Sequence, residues 1–319
     1  MMRLLLQALA PAGRRSRLSV LIFHRVHAKQ NELFPGEPYV HSFDRQLEWI
    51  KRWFNVLPLA EAVAGLRAGN LPARPAVITF DDGYADNHDV ALPILRRHGL
   101  TATFFIASGF LDGGRMWNDT VIETLRRCPA PLLDLTALGL GTHPVESIEQ
   151  RRAAISAVIP RLKYLEPAER QQRVDTIAAC AGVDLPDDLM MTSAQVRNMV
   201  FSGMSIGAHT VHHPILARLS DDQAGTEMRE GKHALEEIIG APVPYFAYPN
   251  GKPGEDYNAA HVRIAREIGF EAALSTAWGV ATPGCDLFQV PRFTPWDRSA
   301  WRYGLRLADN LRRIDYARA

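Results

Sequence analysis

Ala76-Val77-Ile78-Thr79-Phe80-Asp81-Asp82-Gly83-Tyr84 is the stretch whose reading decides the fold. Its apolar start, rich in β-branched and aromatic side chains, has the length of a buried strand, and Asp-Asp-Gly ends it as a turn. A helical pattern follows over 86–98, closed by Gly99, and Pro93 in its middle predicts a kink. Another β-rich run covers 101–107. The same rhythm holds on either side. Strand patterns occupy 18–23, 204–208, 243–248, 271–275 and 288–293. Helical periodicity runs from Ser42 through Phe43, Leu47, Ile50 and Phe54, and returns over 192–201, 220–239, 257–268 and 301–312. Strands alternating with helices imply a parallel α/β sheet, and about seven such units favour a barrel over an open sheet. Between 111 and 191 the rhythm breaks into a mostly helical stretch, with a Pro/Gly-containing loop around 138–144, which reads as an insertion. The expected organisation is a tail over 1–17 and one domain over 18–319.

A chain of 319 residues buries enough surface to need no staple, and its three cysteines, Cys128, Cys180 and Cys285, form no CxxC pair. That argues against a disulfide framework or a cysteine-built zinc site and fits a reducing compartment. A formal net charge of +1 with no basic block argues against nucleic acid as a partner. No apolar run is long enough to span a bilayer. The N-terminus carries Arg3 and Leu4-Leu5-Leu6 in the manner of a signal peptide. Gln7 interrupts the apolar stretch and Arg14, Arg15 and Arg17 follow at once, so an amphipathic tail and a cytoplasmic location are expected, with export to the cell envelope as the alternative.

Ligands of parallel βα folds sit at the carboxyl ends of strands. His24, Asp81-Asp82, His209 and Tyr248-Pro249-Asn250-Gly251 all fall at such ends. Neighbouring side chains at a strand end point in different directions, so one aspartate can hold a metal while the other faces the water to be deprotonated. An Asp-Gly turn after a strand is common, and by itself it settles nothing. His209 and His213, four apart, can reach one side of a turn, and imidazole plus carboxylate is a common zinc donor set. His212 is the neighbour that should point away.

Thr79-Phe80-Asp81-Asp82-Gly83-Tyr84 together with His209-Thr210-x-x-His213-Pro214 resembles the polysaccharide deacetylase family, the NodB-homology enzymes of carbohydrate esterase family 4. The resemblance covers about 18–296, less the insertion. It implies a distorted (β/α)7-like barrel, a divalent metal (usually zinc), and hydrolysis of N-acetyl groups on amino sugars. By the same resemblance Asp81 corresponds to the catalytic base, and Asp82, His209 and His213 to the metal ligands. Phe246-Ala247-Tyr248-Pro249-Asn250-Gly251 is similar to the family's Arg-x-Pro-Tyr motif, but Ala247 stands where the arginine would be. Arg292, in Val290-Pro291-Arg292, is the candidate to supply that guanidinium from another strand end. The Asn250 backbone N–H is the candidate oxyanion donor, with Tyr248 beside it.

The family's C-terminal histidine is missing, since none follows His261. Members acting on poly-N-acetylglucosamine place it instead in an N-terminal sequence that Ile22-Phe23-His24-Arg25-Val26 resembles, which makes His24 the candidate general acid. Among the aromatics Tyr84, Trp117, Tyr248, Trp278 and Trp296, Trp296 is the best placed for sugar stacking. Trp117-Asn118-Asp119 of the insertion could reach over the barrel mouth. The expected partner is an N-acetylated amino-sugar glycan. The alternatives are a small non-sugar amide substrate, or a glycan-binding pseudoenzyme.

Overall fold

The computed structural model describes residues 1–294 and 296–319. The strands are β1 (Ser19–Phe23), β2 (Asn55–Val56), β3 (Pro75–Phe80), β4 (Thr103–Ile106), β5 (Leu132–Leu135), β6 (Gly141–Pro144), β7 (Ser205–Ala208), β8 (Tyr245–Ala247) and β9 (Ala272–Leu274). The helices are α1 (Met2–Leu9), α2 (Val40–Trp53), α3 (Leu59–Ala68), α4 (Leu92–His98), α5 (Trp117–Arg127), α6 (Ile148–Lys163), α7 (Pro167–Ala181), α8 (Ser193–Phe201), α9 (Asp221–Ile239), α10 (Ala259–Glu267) and α11 (Ala300–Asn310). None is long and apolar enough to cross a membrane among the described residues.

The main sheet is parallel, in the order β1-β3-β4-β7-β8-β9, with β2 paired to the start of β3. Its two edges are joined. Val290 bridges Leu274 of β9, and Phe293 bridges Leu21 of β1, through Ser275 N–H to Val290 O (2.8 Å) and Ile22 N–H to Phe293 O (3.1 Å). The segment expected as a strand over 288–293 is thus a 3-10 turn at Leu287–Gln289 followed by a short extended stretch that closes the ring. The expected α/β barrel is present, curled by the strand twist that parallel sheets carry.

Side-chain alternation sorts the core into two layers. Val20, Val77, Phe105, Tyr245, Ala247, Leu274 and Val290 form one cluster inside the ring, together with Leu59, Val63 and Leu66 of α3. Their neighbours Leu21, Ile78, Phe104, Ile106 and Phe246 face the surrounding helices in a second cluster. Both faces of β3 are therefore buried, which is why its sequence reads as a continuous apolar run. Gly207 of β7 has no room for a side chain, since a Cβ there would come within 2.3 Å of the Phe105 ring.

Three local features differ from the sequence reading. The helix around Pro93 is irregular: residues Asn87–Ala91 wind as a π-turn that runs without a break into α4, whose second residue is the proline. The stretch 111–191 holds α5, α6 and α7, but the loop at 138–144 is one arm of the antiparallel hairpin β5–β6. Val121, Leu125, Leu133, Leu135, Val158, Leu162, Val174 and Ile177 give that stretch its own small core. Residues 2–9 form α1, with Leu6 fully buried and Gln7 accepting from the Arg74 guanidinium at 2.8 Å.

Helix α9 packs so closely under the loop after β7 that a Cβ on Gly231 would lie 2.6 Å from the Thr210 backbone. Gly231→Ala should therefore destabilise the fold by ~1–3 kcal/mol, the usual cost of overpacking, although alanine is the better helix former by about 1 kcal/mol. Denaturant unfolding checks it, and a more stable variant would contradict the close packing.

Candidate metal centre

The strand register brings the polar residues together. Phe23 pairs with Phe80, so His24 and Asp81 leave adjacent strands side by side. Ile106 pairs with Ala208, and Ala208 with Phe246, which puts His209 at the same end of the ring. Asp81 continues the inward-facing series of Val77 and Thr79. Asp82 would face outward in a regular strand, but its φ of 78° turns it back over the mouth. Thr210 (67°), His213 (51°) and Asn250 (57°) share this left-handed backbone. Such conformations cost of order 1 kcal/mol or more each for non-glycine residues and cluster where side-chain placement matters.

The Nε2 atoms of His209 and His213 lie 3.5 and 3.4 Å from the same Asp82 Oδ1. That oxygen is buried and has no hydrogen-bond partner. The three donor atoms lie within 4.8 Å of one another. A closed set of two imidazoles and one carboxylate, with a buried oxygen otherwise unsatisfied, fits a divalent ion of the zinc type. The His209 ring is held from behind by an Nδ1 hydrogen bond to Ala247 O at 2.7 Å, which leaves Nε2 as the lone-pair nitrogen facing the site. His213 is reached by a tight loop in which its N–H donates to Thr210 Oγ1 (3.0 Å). Glu227 of α9 accepts the N–H groups of Val211 and His212 and the His212 ring at 2.8 Å. His212 accordingly points away from the site, as its parity with His213 predicts.

Asp81 lies beneath this cluster. Arg292 grips it in a bidentate pair, Nη1 to Oδ1 at 2.6 Å and Nη2 to Oδ2 at 2.7 Å. The guanidinium also donates to Ser275 O (3.0 Å) and is wholly buried. It enters the ring from the closing segment, two residues after the inward-facing Val290, and so reaches Asp81 from a strand end other than the one that carries Ala247. Burial alone would raise the Asp81 carboxyl, but Arg292 and then His209 outweigh it and hold it below the usual carboxylate range. Asp82 is likewise held low against its burial, by His209 and His213. Burial pushes His213 down to about 4, so it is neutral and available as a donor near neutral pH. His209 moves the other way, raised by Asp81 and Asp82 against its burial.

Two cavities flank the centre and share His24, Asp82 and Asn118. One, of about 270 Å³, contains Asp81, His209, His213, Asn250 and Trp117 in its wall. The other, of about 360 Å³, is lined by Arg25, Tyr84, Asp119 and Trp296 among others. Trp296 is 44% exposed and packs against Trp278, so it stands at the rim. Trp117 and Asn118 of α5 line the smaller cavity, and Asn118 lines the larger one as well.

Tyr248 does not belong to the site. It is fully buried, its hydroxyl donates to Phe288 O, and its ring stacks on Tyr257 at 3.9 Å. Alternation explains the correction: Tyr245 and Ala247 face the ring interior, so Phe246 and Tyr248 face the helices. The sequence reading also missed a polar cluster beside His24. Arg25 pairs with Asp86 at 2.8 Å and lies over the Tyr84 ring, and Tyr84 donates to Asp119 at 3.0 Å. Burial, only partly offset by Arg25 and Tyr84, pushes Asp119 up to about 7.

Known proteins resemble this chain in fold and family. The family model described as polysaccharide deacetylase matches residues 68–130 and 167–273. YxkH of Bacillus subtilis (strain 168), named for the same family, is 20% identical over 279 residues, or 87% of this chain and 71% of that protein. Among solved structures, the Streptococcus pyogenes deacetylase PplD in complex with acetate superposes with a TM-score of 0.61 at 22% identity, covering 92% of this chain and 98% of that one. IcaB from Ammonifex degensii gives 0.60 at 20% identity, with the same coverage of 92% and 98%. These likenesses carry the fold, and the matched model, which spans more than half of the residues and both motif regions, carries the assignment: the chain belongs to the polysaccharide deacetylase family.

Proposed function

We propose that this chain is a zinc-dependent hydrolase that removes N-acetyl groups from an amino-sugar glycan. The observation that carries the reading is the orphaned Asp82 Oδ1 between two histidine nitrogens, directly above a carboxylate pinned by arginine. Asp82, His209 and His213 would hold the ion, which supplies Lewis acidity toward the acetyl carbonyl and the attacking water.

The chain's own residues do the rest. Asp81, kept ionised by Arg292, takes the proton of the attacking water, and the bidentate grip fixes which lone pairs face the site. Asn250, in the wall of the same cavity, presents backbone toward the developing oxyanion. His24, which borders both cavities, delivers a proton to the leaving nitrogen as the C–N bond breaks, so acetate and a free amine leave. Trp296 at the rim offers a face for a neighbouring sugar. A cleft continuing on both sides of the centre suits an oligomer better than a small amide. A binding-only protein would have no use for a buried base beside the donor triad.

Zinc-loaded protein should release acetate from N-acetylglucosamine oligomers. No release from any amino-sugar substrate would sink the reading. His24→Ala should leave zinc content unchanged and lower kcat by roughly 10²–10⁴-fold, the usual contribution of a general acid. Unchanged turnover would remove His24 from the mechanism.

A further inference from the structure

The wall of the smaller cavity carries a charge that no carboxylate in ion-pair range neutralises among the described residues, Glu166 just before α7 acting on it only at longer range. Arg170 of α7 lines the cavity that holds Asp82, His209 and His213, and it is only 7% exposed. It stacks over Trp117, with its guanidinium carbon 4.9 Å from the ring centre. Its one side-chain hydrogen bond among the described residues runs from Nη1 to Lys163 O at 3.2 Å. Lys163, the last residue of α6, lines the same cavity and also has no carboxylate in ion-pair range among the described residues. The end of α6 offers Arg170 a partial negative charge, about half an elementary charge by the usual helix-dipole estimate, but no full counter-ion. Nor does the centre below provide one, because Asp81 is engaged by Arg292 and Asp82 would share an ion with the two histidines.

The larger cavity makes the contrast. Its two arginines are both neutralised, Arg25 by Asp86 at 2.8 Å and Arg126 by Glu123 at 2.9 Å. A guanidinium taken out of water without an ion-paired acid is costly, and a chain that keeps one beside its reaction centre has left its hydrogen-bonding fork free for something that arrives. Guanidinium forks match planar oxyanions.

We propose that Arg170 and Lys163 form an anion subsite that receives a carboxylate or phosphoryl group carried by the substrate next to the N-acetyl group to be removed. The subsite makes the insertion a selector: it directs the deacetylase reading above, on which the proposal rests, toward anionic glycans. Carboxylate on a uronic acid and phosphoryl on a glycosyl phosphate are the two sources of the same chemistry.

Titration calorimetry on the metal-free full chain tests it without turnover. The probes are neutral N,N′-diacetylchitobiose, the disaccharide of glucuronic acid and N-acetylglucosamine, and N-acetylglucosamine 1-phosphate. One anionic probe at least should bind about tenfold tighter than the neutral one, the scale of a charged hydrogen-bonded contact, and its identity tells carboxylate from phosphoryl. R170Q should abolish that preference, K163Q should reduce it, and R170K should retain most of it. Equal binding of all three probes by the wild type, or a preference unchanged in R170Q and K163Q, overturns the subsite. Should R170Q fail to fold, K163Q alone decides. Acetate release from neutral oligomers is measured separately. Its absence on every substrate defeats the deacetylase reading, while the titration still decides the subsite.

Discussion

Arg292→Met should destabilise the metal-free protein by ~3–5 kcal/mol, the usual result of stripping the partner from a buried charge. The guanidinium is wholly buried and grips both oxygens of Asp81, which is itself only 2% exposed. Methionine fills much of the volume but leaves the carboxylate without its fork in the ring interior, where the nearest basic nitrogen is His209 Nε2 at 3.9 Å. The pH dependence separates this cause from lost packing. In the wild type the folded pKa of Asp81 lies below its unfolded value of about 3.9. The stability it contributes is therefore complete above that value and is lost as pH falls through the folded pKa. In the variant, desolvation prevails and the folded pKa rises above the unfolded one. Asp81 then penalises the variant at neutral pH and is relieved as pH falls through the raised value. The gap between the two proteins should narrow on acidification from pH 7 toward pH 4. A gap below about 1 kcal/mol with no pH dependence would mean that Arg292 acts only as filler. Asp81→Asn combined with Arg292→Met should cost less than the sum of the single changes, because the two side chains share one interaction.

That pairing also shows what a sequence can and cannot disclose. Asp81, Asp82 and His209 were legible because they stand at strand ends, which converge in a parallel barrel whatever the details between them, and His213 because it follows His209 at a spacing one turn can close. Arg292 lies 211 positions from Asp81, and nothing local joins them. The clue was parity. Val290 and Arg292 alternate inward, as do Val77, Thr79 and Asp81, and the two series meet only once the ring has closed. The same parity would have removed Tyr248, which exits β8 on the helix side. The hairpin β5–β6 was harder: its strands are four residues each, alternating exposed with buried in the first and exposed with half-buried in the second, too short for periodicity to speak. Arg170 looked like one more charge in a charged run, and only its burial over Trp117 sets it apart.

Asp81→Asn should lower kcat by roughly 10³-fold or more while zinc is retained at the wild-type ratio, because a base that matches its task contributes about 10²–10⁴ and an amide of the same shape cannot accept the proton. Asn keeps one acceptor for the Arg292 fork, so the fold should lose only about 1–3 kcal/mol, less than Arg292→Met costs. The split between metal content and turnover makes the test specific. Asp82→Ala removes the oxygen shared by His209 and His213, so zinc and activity should disappear together. If Asp81→Asn also loses the metal, the two aspartates have exchanged or shared roles, and the division drawn from their opposite backbone directions fails. If it keeps both metal and rate, the base lies elsewhere; among the described residues bordering both cavities His24 would then be the next candidate, and His24→Ala would show the pH dependence expected of a base in place of an acid. The geometry favours the first division. Asp81 is held from below by two short hydrogen bonds and cannot swing up to the histidines, whereas Asp82, turned by its positive φ, already points one bare oxygen between them.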